Sequence, residues 1–133
     1  MTDPYTMNTI SLAFLGDSVY ELFVRSRLMN GPEALSGHAD RLHRAAVAYV
    51  RADAQAAVIK ALLPELPEEH RQLVTRARNH RTATKPKNAD AVTYKWATAF
   101  EAYLGYLYLS GQQELLQTVM ERAAAITEEK DHE

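Results

Sequence analysis

A chain of 133 residues with 47% hydrophobic and 24% charged residues has the size and composition of one globular domain. Five Gly and five Pro argue against an all-β chain of tight turns, and the absence of Cys excludes a disulfide scaffold, a thiolate metal site and a cysteine nucleophile. The net charge of −2 points away from nucleic acid, but the charge is unevenly spread. Glu128 to Glu133 carry a local −3, whereas six cations (Arg71, Arg76, Arg78, Arg81, Lys85, Lys87) stand between Arg71 and Ala89 with no acid among them. No apolar run is long enough to span a bilayer, and Met1-Thr2-Asp3-Pro4-Tyr5 lacks the basic and apolar regions of a signal peptide, so a soluble, cytoplasmic protein is expected.

Apolar residues recur at helical spacing almost throughout. Ile10, Leu12, Phe14, Leu15, Val19, Leu22, Phe23, Val24 and Leu28 predict a helix over Thr9–Met29, capped by Asn8 or Thr9 and stopped by Asn30-Gly31-Pro32. A short helical turn is expected at 32–35, and a helix over His38–Val50 with Leu42, Ala45, Ala46 and Tyr49 on one side. An Ala-rich helix follows over 52–63, and Pro67 reads as the first residue of the next, which carries Leu73 and Val74. Asn79–Asn88 has no apolar period and reads as a loop. Val92, Trp96, Phe100, Leu104 and Leu107 mark a long helix over Asp90–Leu109, apolar enough at its end to be central, and Gly111 breaks it. A last helix over 112–126 carries Leu115, Leu116, Val119, Met120, Ala123 and Ile126, with a frayed acidic tail behind it. The fold expected is all-α, with residues 1–127 as a single domain and 128–133 as the tail.

Two acids stand out on these apolar helices. Asp17 lies among core residues in Phe14-Leu15-Gly16-Asp17-Ser18-Val19, and Glu101 is the only ionised group between Lys95 and Glu114. Each is a half-exposed acid at the edge of its helix, a partner of an Arg or Lys, or a ligand to a cation, because an isolated buried charge is too costly. Gly16, unfavourable in a helix by about 1 kcal/mol relative to Ala, suits close approach of a backbone or ligand. The basic stretch is either a solvated surface or a contact for a phosphate backbone; Arg76 and Arg78, two apart, cannot share a helical face. The histidines at 38, 43, 70, 80 and 132 lack metal-ligand spacing, and Tyr103, Tyr106 and Tyr108 with Trp96 read as packing rather than a stacking platform for bases.

Phe14-Leu15-Gly16-Asp17-Ser18-Val19 resembles the signature of ribonuclease III, and Phe100 to Leu109 resembles its second acidic motif. Leu42-His43-Arg44-Ala45-Ala46-Val47 is similar to that family's central helix. Arg76-Ala77-Arg78-Asn79, Thr84-Lys85-Pro86-Lys87-Asn88 and the run from Thr93 to Ala102 resemble the Mini-III ribonucleases, small relatives made of the catalytic domain alone. The resemblance covers about residues 8–125.

This resemblance implies the ribonuclease III endonuclease-domain helical fold, a homodimer without a double-stranded-RNA-binding domain, and Mg²⁺-dependent cleavage of double-stranded RNA, with Mn²⁺ as a substitute. It implies further a role in maturation of large-subunit (23S) ribosomal RNA precursor, products with 5′-phosphate and 3′-hydroxyl ends, and a ribosomal protein as a possible helper. Asp17 and Glu101 match the two catalytic, metal-binding carboxylates, and the pair requires the two long helices to cross, with Gly16 and Gly105 placed to permit it. Glu21 is a candidate outer ligand or a partner for Arg25. Arg76, Arg78, Asn79, Arg81, Lys85 and Lys87 are the expected RNA contacts. Full-length ribonuclease III has further acids where this chain has Ala13 and Thr98, replacements shared by the Mini-III pattern, so the ligand set is smaller. The alternative reading is a ribonuclease-III-like dimer that binds structured RNA or ribosomes without cutting.

Overall fold

The computed structural model describes residues 2–81 and 90–131, without the side chain of Asp131. Its regular elements are all helical, as expected: α1 (Thr9–Leu28), α2 (Pro32–Leu35), α3 (Ala39–Val50), α4 (Ala52–Leu62), α5 (Glu68–Arg78), α6 (Ala91–Leu109) and α7 (Gln113–Asp131), with 3₁₀ turns at Pro4–Thr6 and Leu63–Glu65. The helix ends follow local chemistry. Asn8 Oδ1 accepts from the Ile10 and Ser11 N–H groups at 2.8 and 3.3 Å and opens α1. Pro67 caps α5 from just outside rather than forming its first residue. At the end of α6, Gly111 takes φ +74° while its N–H bonds the Tyr108 carbonyl and that of Gln112 bonds the Leu107 carbonyl, the hydrogen-bond pair of a Schellman turn.

Helix α6 is the central element. Phe100, Tyr103, Leu104 and Leu107 are fully buried, and α1, α4, α5 and α7 pack around it. A helix apolar on nearly every side has no solvent face to offer and must sit inside others. Among the described residues no helix is long and apolar enough to cross a membrane.

One more element end differs from the sequence reading, and two long-range contacts add to it. Helix α7 continues to Asp131 instead of ending near Ile126, because Glu128 is held rather than frayed. Arg27 of α1 donates to both of its oxygens, at 2.9 and 3.0 Å, and the Tyr49 hydroxyl of α3 donates to it at 2.7 Å. Residues 132–133 lie outside the described residues. Tyr20 is buried edge-on against Phe100, while Phe14 is exposed. The N-terminal turn is docked: the Tyr5 hydroxyl donates to the Glu69 carbonyl at 3.1 Å, and its ring packs edge-on to Tyr106.

Candidate active site

The site begins where α1 crosses α6. A Cβ placed on Gly16 would lie 1.7 Å from the Glu101 carbonyl oxygen, and one on Gly105 would lie 2.0 Å from that of Leu12. The two backbones therefore touch, and only glycine fits at either point. Asp17 follows Gly16 on α1 and is exposed; Glu101, on α6 at the contact itself, is partly buried. The crossing brings two carboxylates 84 positions apart in sequence into hydrogen-bonding reach of each other.

Burial first, and then the adjacent Asp17, push the Glu101 carboxyl up to about 8 from its ordinary 4.5. Glu21 adds repulsion, and a hydrogen bond from Gln55 of α4 opposes the rise. Among the described residues neither Asp17 nor Glu101 forms an ion pair with Arg or Lys. Of the readings open for these acids, a half-exposed place at the helix edge agrees with the exposure of Asp17 and the partial burial of Glu101, and a pairing with Arg or Lys is not seen among the described residues. Two carboxylates that face each other with no ion-paired counter-charge among the described residues suit a shared cation, which would offset their repulsion though not the burial that chiefly raises Glu101.

The ligand set is small. Among the described residues no three His, Asp or Glu side chains cluster so as to hold a metal. Ala13 is buried, and the Thr98 hydroxyl donates to the Tyr94 carbonyl of its own helix at 3.0 Å. Glu21 is ion-paired to Arg25 at 3.0 Å, which favours the second of its two expected roles. A pair of carboxylates fits Mg²⁺, which keeps several waters and takes substrate phosphate oxygens alongside one or two protein carboxylates. Gln55 was missed in the sequence, where its signal is one carboxamide in the run Ala54-Gln55-Ala56-Ala57.

The basic residues do not converge. Arg76 and Arg78 leave α5 in different directions, as their spacing requires. Arg76 lies over the Tyr5 ring, 5.2 Å from its centre, and donates to the Tyr5 carbonyl. Arg78 lies 4.8 Å from the centre of the Trp96 ring, which Lys60 of α4 also approaches at 5.7 Å. Asn79 accepts from Arg78 at 3.1 Å, and Arg81 is exposed. Lys85 and Lys87 lie outside the described residues. Tyr103 and Tyr106 are core residues, and Tyr103 shares a buried 2.8 Å hydrogen bond with His70, whose burial lowers its affinity for a proton.

Comparison with known proteins decides the family. The model of the ribonuclease III domain matches residues 10–112, which include both acids. The chain belongs to the ribonuclease III domain family. Its relatives there include Mini-ribonuclease 3 of Symbiobacterium thermophilum, 44% identical with 96% of each chain covered, and Mini-ribonuclease 3 of Brevibacillus brevis, 46% identical with 95% of this chain and 92% of that one covered. A crystal structure of a Fusobacterium nucleatum protein superposes with a TM-score of 0.80 at 29% identity, covering 97% of this chain and 99% of that one. The all-helical arrangement around α6 is thus the ribonuclease III domain fold, in its Mini-III form.

Proposed function

We propose that this chain is a divalent-metal-dependent endoribonuclease that cuts double-stranded RNA, with Asp17 and Glu101 as its catalytic, metal-holding carboxylates. Membership of the ribonuclease III domain family makes it a ribonuclease III-type endoribonuclease. The observation that carries the finer reading is the meeting of Asp17 and Glu101 at a glycine-lined helix crossing, with no Arg or Lys ion-paired to either among the described residues. The substrate is precursor large-subunit (23S) ribosomal RNA, cut to leave 5′-phosphate and 3′-hydroxyl ends, and the working unit is a cytoplasmic homodimer with one site per subunit.

Mg²⁺, or Mn²⁺ in its place, supplies when bound the positive charge that favours in-line hydrolysis of a phosphodiester. The chain's residues do the rest. Gly16 and Gly105 let α1 and α6 approach until the two carboxylates share one place. Asp17 is open to solvent and so to substrate, while Glu101 is held deeper, where burial limits its movement. Arg78 and Arg81, joined by Lys85 and Lys87, supply positive charge for the phosphates of an A-form duplex, which is read by shape and backbone more than by base edges. Glu21 is occupied by Arg25 and acts on the pair only from a distance.

The test is cleavage of a duplex precursor of ribosomal RNA by wild type, D17N and E101Q, each with Mg²⁺ and with EDTA. Cleavage by wild type in Mg²⁺, lost by at least about a hundredfold in each variant and in EDTA while duplex binding persists, is the expected result. Binding without cleavage under any metal leaves the non-catalytic RNA-binding dimer in its place.

A further inference from the structure

Arg25, Arg27, Arg51 and Arg122 each lie 2.6–3.0 Å from a carboxylate. Lys60 and Arg78 do not: among the described residues neither has an ion pair, and both lean instead on one aromatic ring. Lys60 Nζ, from the last turn of α4, lies 5.7 Å from the centre of the Trp96 ring, and the guanidinium of Arg78, the last residue of α5, lies 4.8 Å from it. A helix C-terminus favours a cation through its dipole, which accounts for each residue singly. It does not account for two of them meeting, from different helices, on a ring that a third helix supplies.

The ring attracts each cation through its quadrupole but cancels neither charge. Two positive groups held beside one ring repel, and an anion that reaches both relieves the repulsion. The donors suit a phosphate. A guanidinium keeps its N–H groups in one plane, pointing outward from its edge. Arg78 gives its Nε–H to Asn79 Oδ1 at 3.1 Å, and among the described residues its two terminal nitrogens have no hydrogen-bond partner. Lys60 is exposed and adds a compact point charge, while Trp96 is half-buried against the core, which fixes the ring between α4 and α5. Trp96 stands five residues before Glu101 on α6, about 7.5 Å along its axis. A duplex has two backbones, so one strand can lie at the acids while the other passes this side of α6.

We propose that Lys60 and Arg78, positioned by the Trp96 ring, hold one backbone phosphate of the duplex at a subsite apart from the acid pair. This rests on the double-stranded RNA substrate proposed above. The contact is to a phosphate, so it adds affinity without base preference.

The experiment compares wild type, K60Q, K60R, R78Q, K60Q/R78Q, W96F and W96L. It reads binding of a labelled RNA duplex in EDTA against salt concentration, KM and kcat with Mg²⁺, and melting by circular dichroism. K60Q is expected to melt as wild type does, to bind the duplex severalfold more weakly and to raise KM by a similar factor, whereas K60R restores both. Because the two cations serve one phosphate, K60Q/R78Q should lower the slope of log binding constant against log salt by about 1 in total. W96L keeps both charges but not the ring, and should bind more weakly than W96F. Wild-type binding by K60Q overturns the proposal, as does a slope lowered by about 2 in the double variant, which means two separate contacts. Wild-type binding by W96L returns the ring to packing alone and overturns its part. If W96L does not fold, W96F and the Lys60 variants still decide. The nuclease reading fails separately: wild type would then bind the duplex in EDTA but leave it uncut in Mg²⁺, with K60Q still binding more weakly.

Discussion

Glu101 carries the most perturbed carboxyl of the site, and its environment makes stability depend on pH. Because burial and Asp17 hold its folded value at about 8 against an ordinary 4.5, the folded protein keeps a proton that the unfolded chain has already released between those values. Its contribution to stability is complete below about pH 4.5 and is lost as pH rises through about 8. Without divalent ions, the melting temperature of wild type should therefore fall between pH 6 and pH 9 relative to that of E101Q, by on the order of 5 °C. Parallel melting curves for the two proteins across that range would show that Glu101 is already ionised. The same proton must leave before two carboxylates can share a cation, so Mn²⁺ should bind more tightly at pH 8.5 than at pH 6.5, and D17N should blunt that difference.

Helices α1 and α6 meet along a contact in which main chain faces main chain. The added methyl of Gly16→Ala would overlap the Glu101 carbonyl, and neither backbone can give way without moving a whole helix. We expect G16A and G105A each to cost about 3 kcal/mol in urea denaturation, the upper part of the range for overpacking a tight core. Both should also lose cleavage beyond what instability explains, since separating α1 from α6 separates Asp17 from Glu101. Stability within about 0.5 kcal/mol of wild type would contradict the close crossing. Elsewhere α7 is tied to α1 and α3 through the Arg27–Glu128–Tyr49 cluster, in which the Tyr49 hydroxyl is pushed up to about 12 by burial and by its bond to Glu128. A forked Arg–carboxylate contact with a third donor orders a helix end that its charge alone would leave frayed.

Across the protein, charge and apolar surface lie in different places. The acid-free stretch after Arg71 lies on α5 and beyond, whereas Phe14 and Leu22 of α1 are 83% and 70% exposed, Leu22 beside a groove of about 490 Å³ lined also by Val19, Phe23, Leu116 and Met120. Such a patch on α1 suits self-association of the proposed dimer, and L22E should convert a dimer to a monomer in sedimentation velocity runs. For the RNA surface, Arg76 is tied to the distant N-terminal turn through Tyr5, Arg78 is held beside its own helix end by Asn79 and Trp96, and Arg81 is exposed. R78A/R81A should therefore lower the slope of log binding constant against log salt by about 1–2, and R76A should change it by less, acting on stability through the Tyr5 turn. Equal slopes for wild type and R78A/R81A would remove those two residues from the duplex contact.

Helix content, helix order and the central place of α6 are legible in the linear chain because each rests on short-range regularities: apolar period, Asn8 at a start, Gly111 at an end. Asp17 and Glu101 are legible as acids out of place on apolar helices, and their family motifs mark them as a pair. Their shared environment is not legible, since it depends on how closely two backbones approach, a distance that no local pattern encodes. Gln55 was hidden for the same reason: a polar residue within an Ala-rich helix is unremarkable until packing turns it inward onto Glu101. Likewise Tyr20, Tyr5 and Glu128 look alike on paper as surface or terminal residues, and only long-range contacts make one a core ring, one an anchor and one a clamp. Local chemistry selects the helices; the burial of each side chain, and with it the charge it can hold, follows from which helices touch.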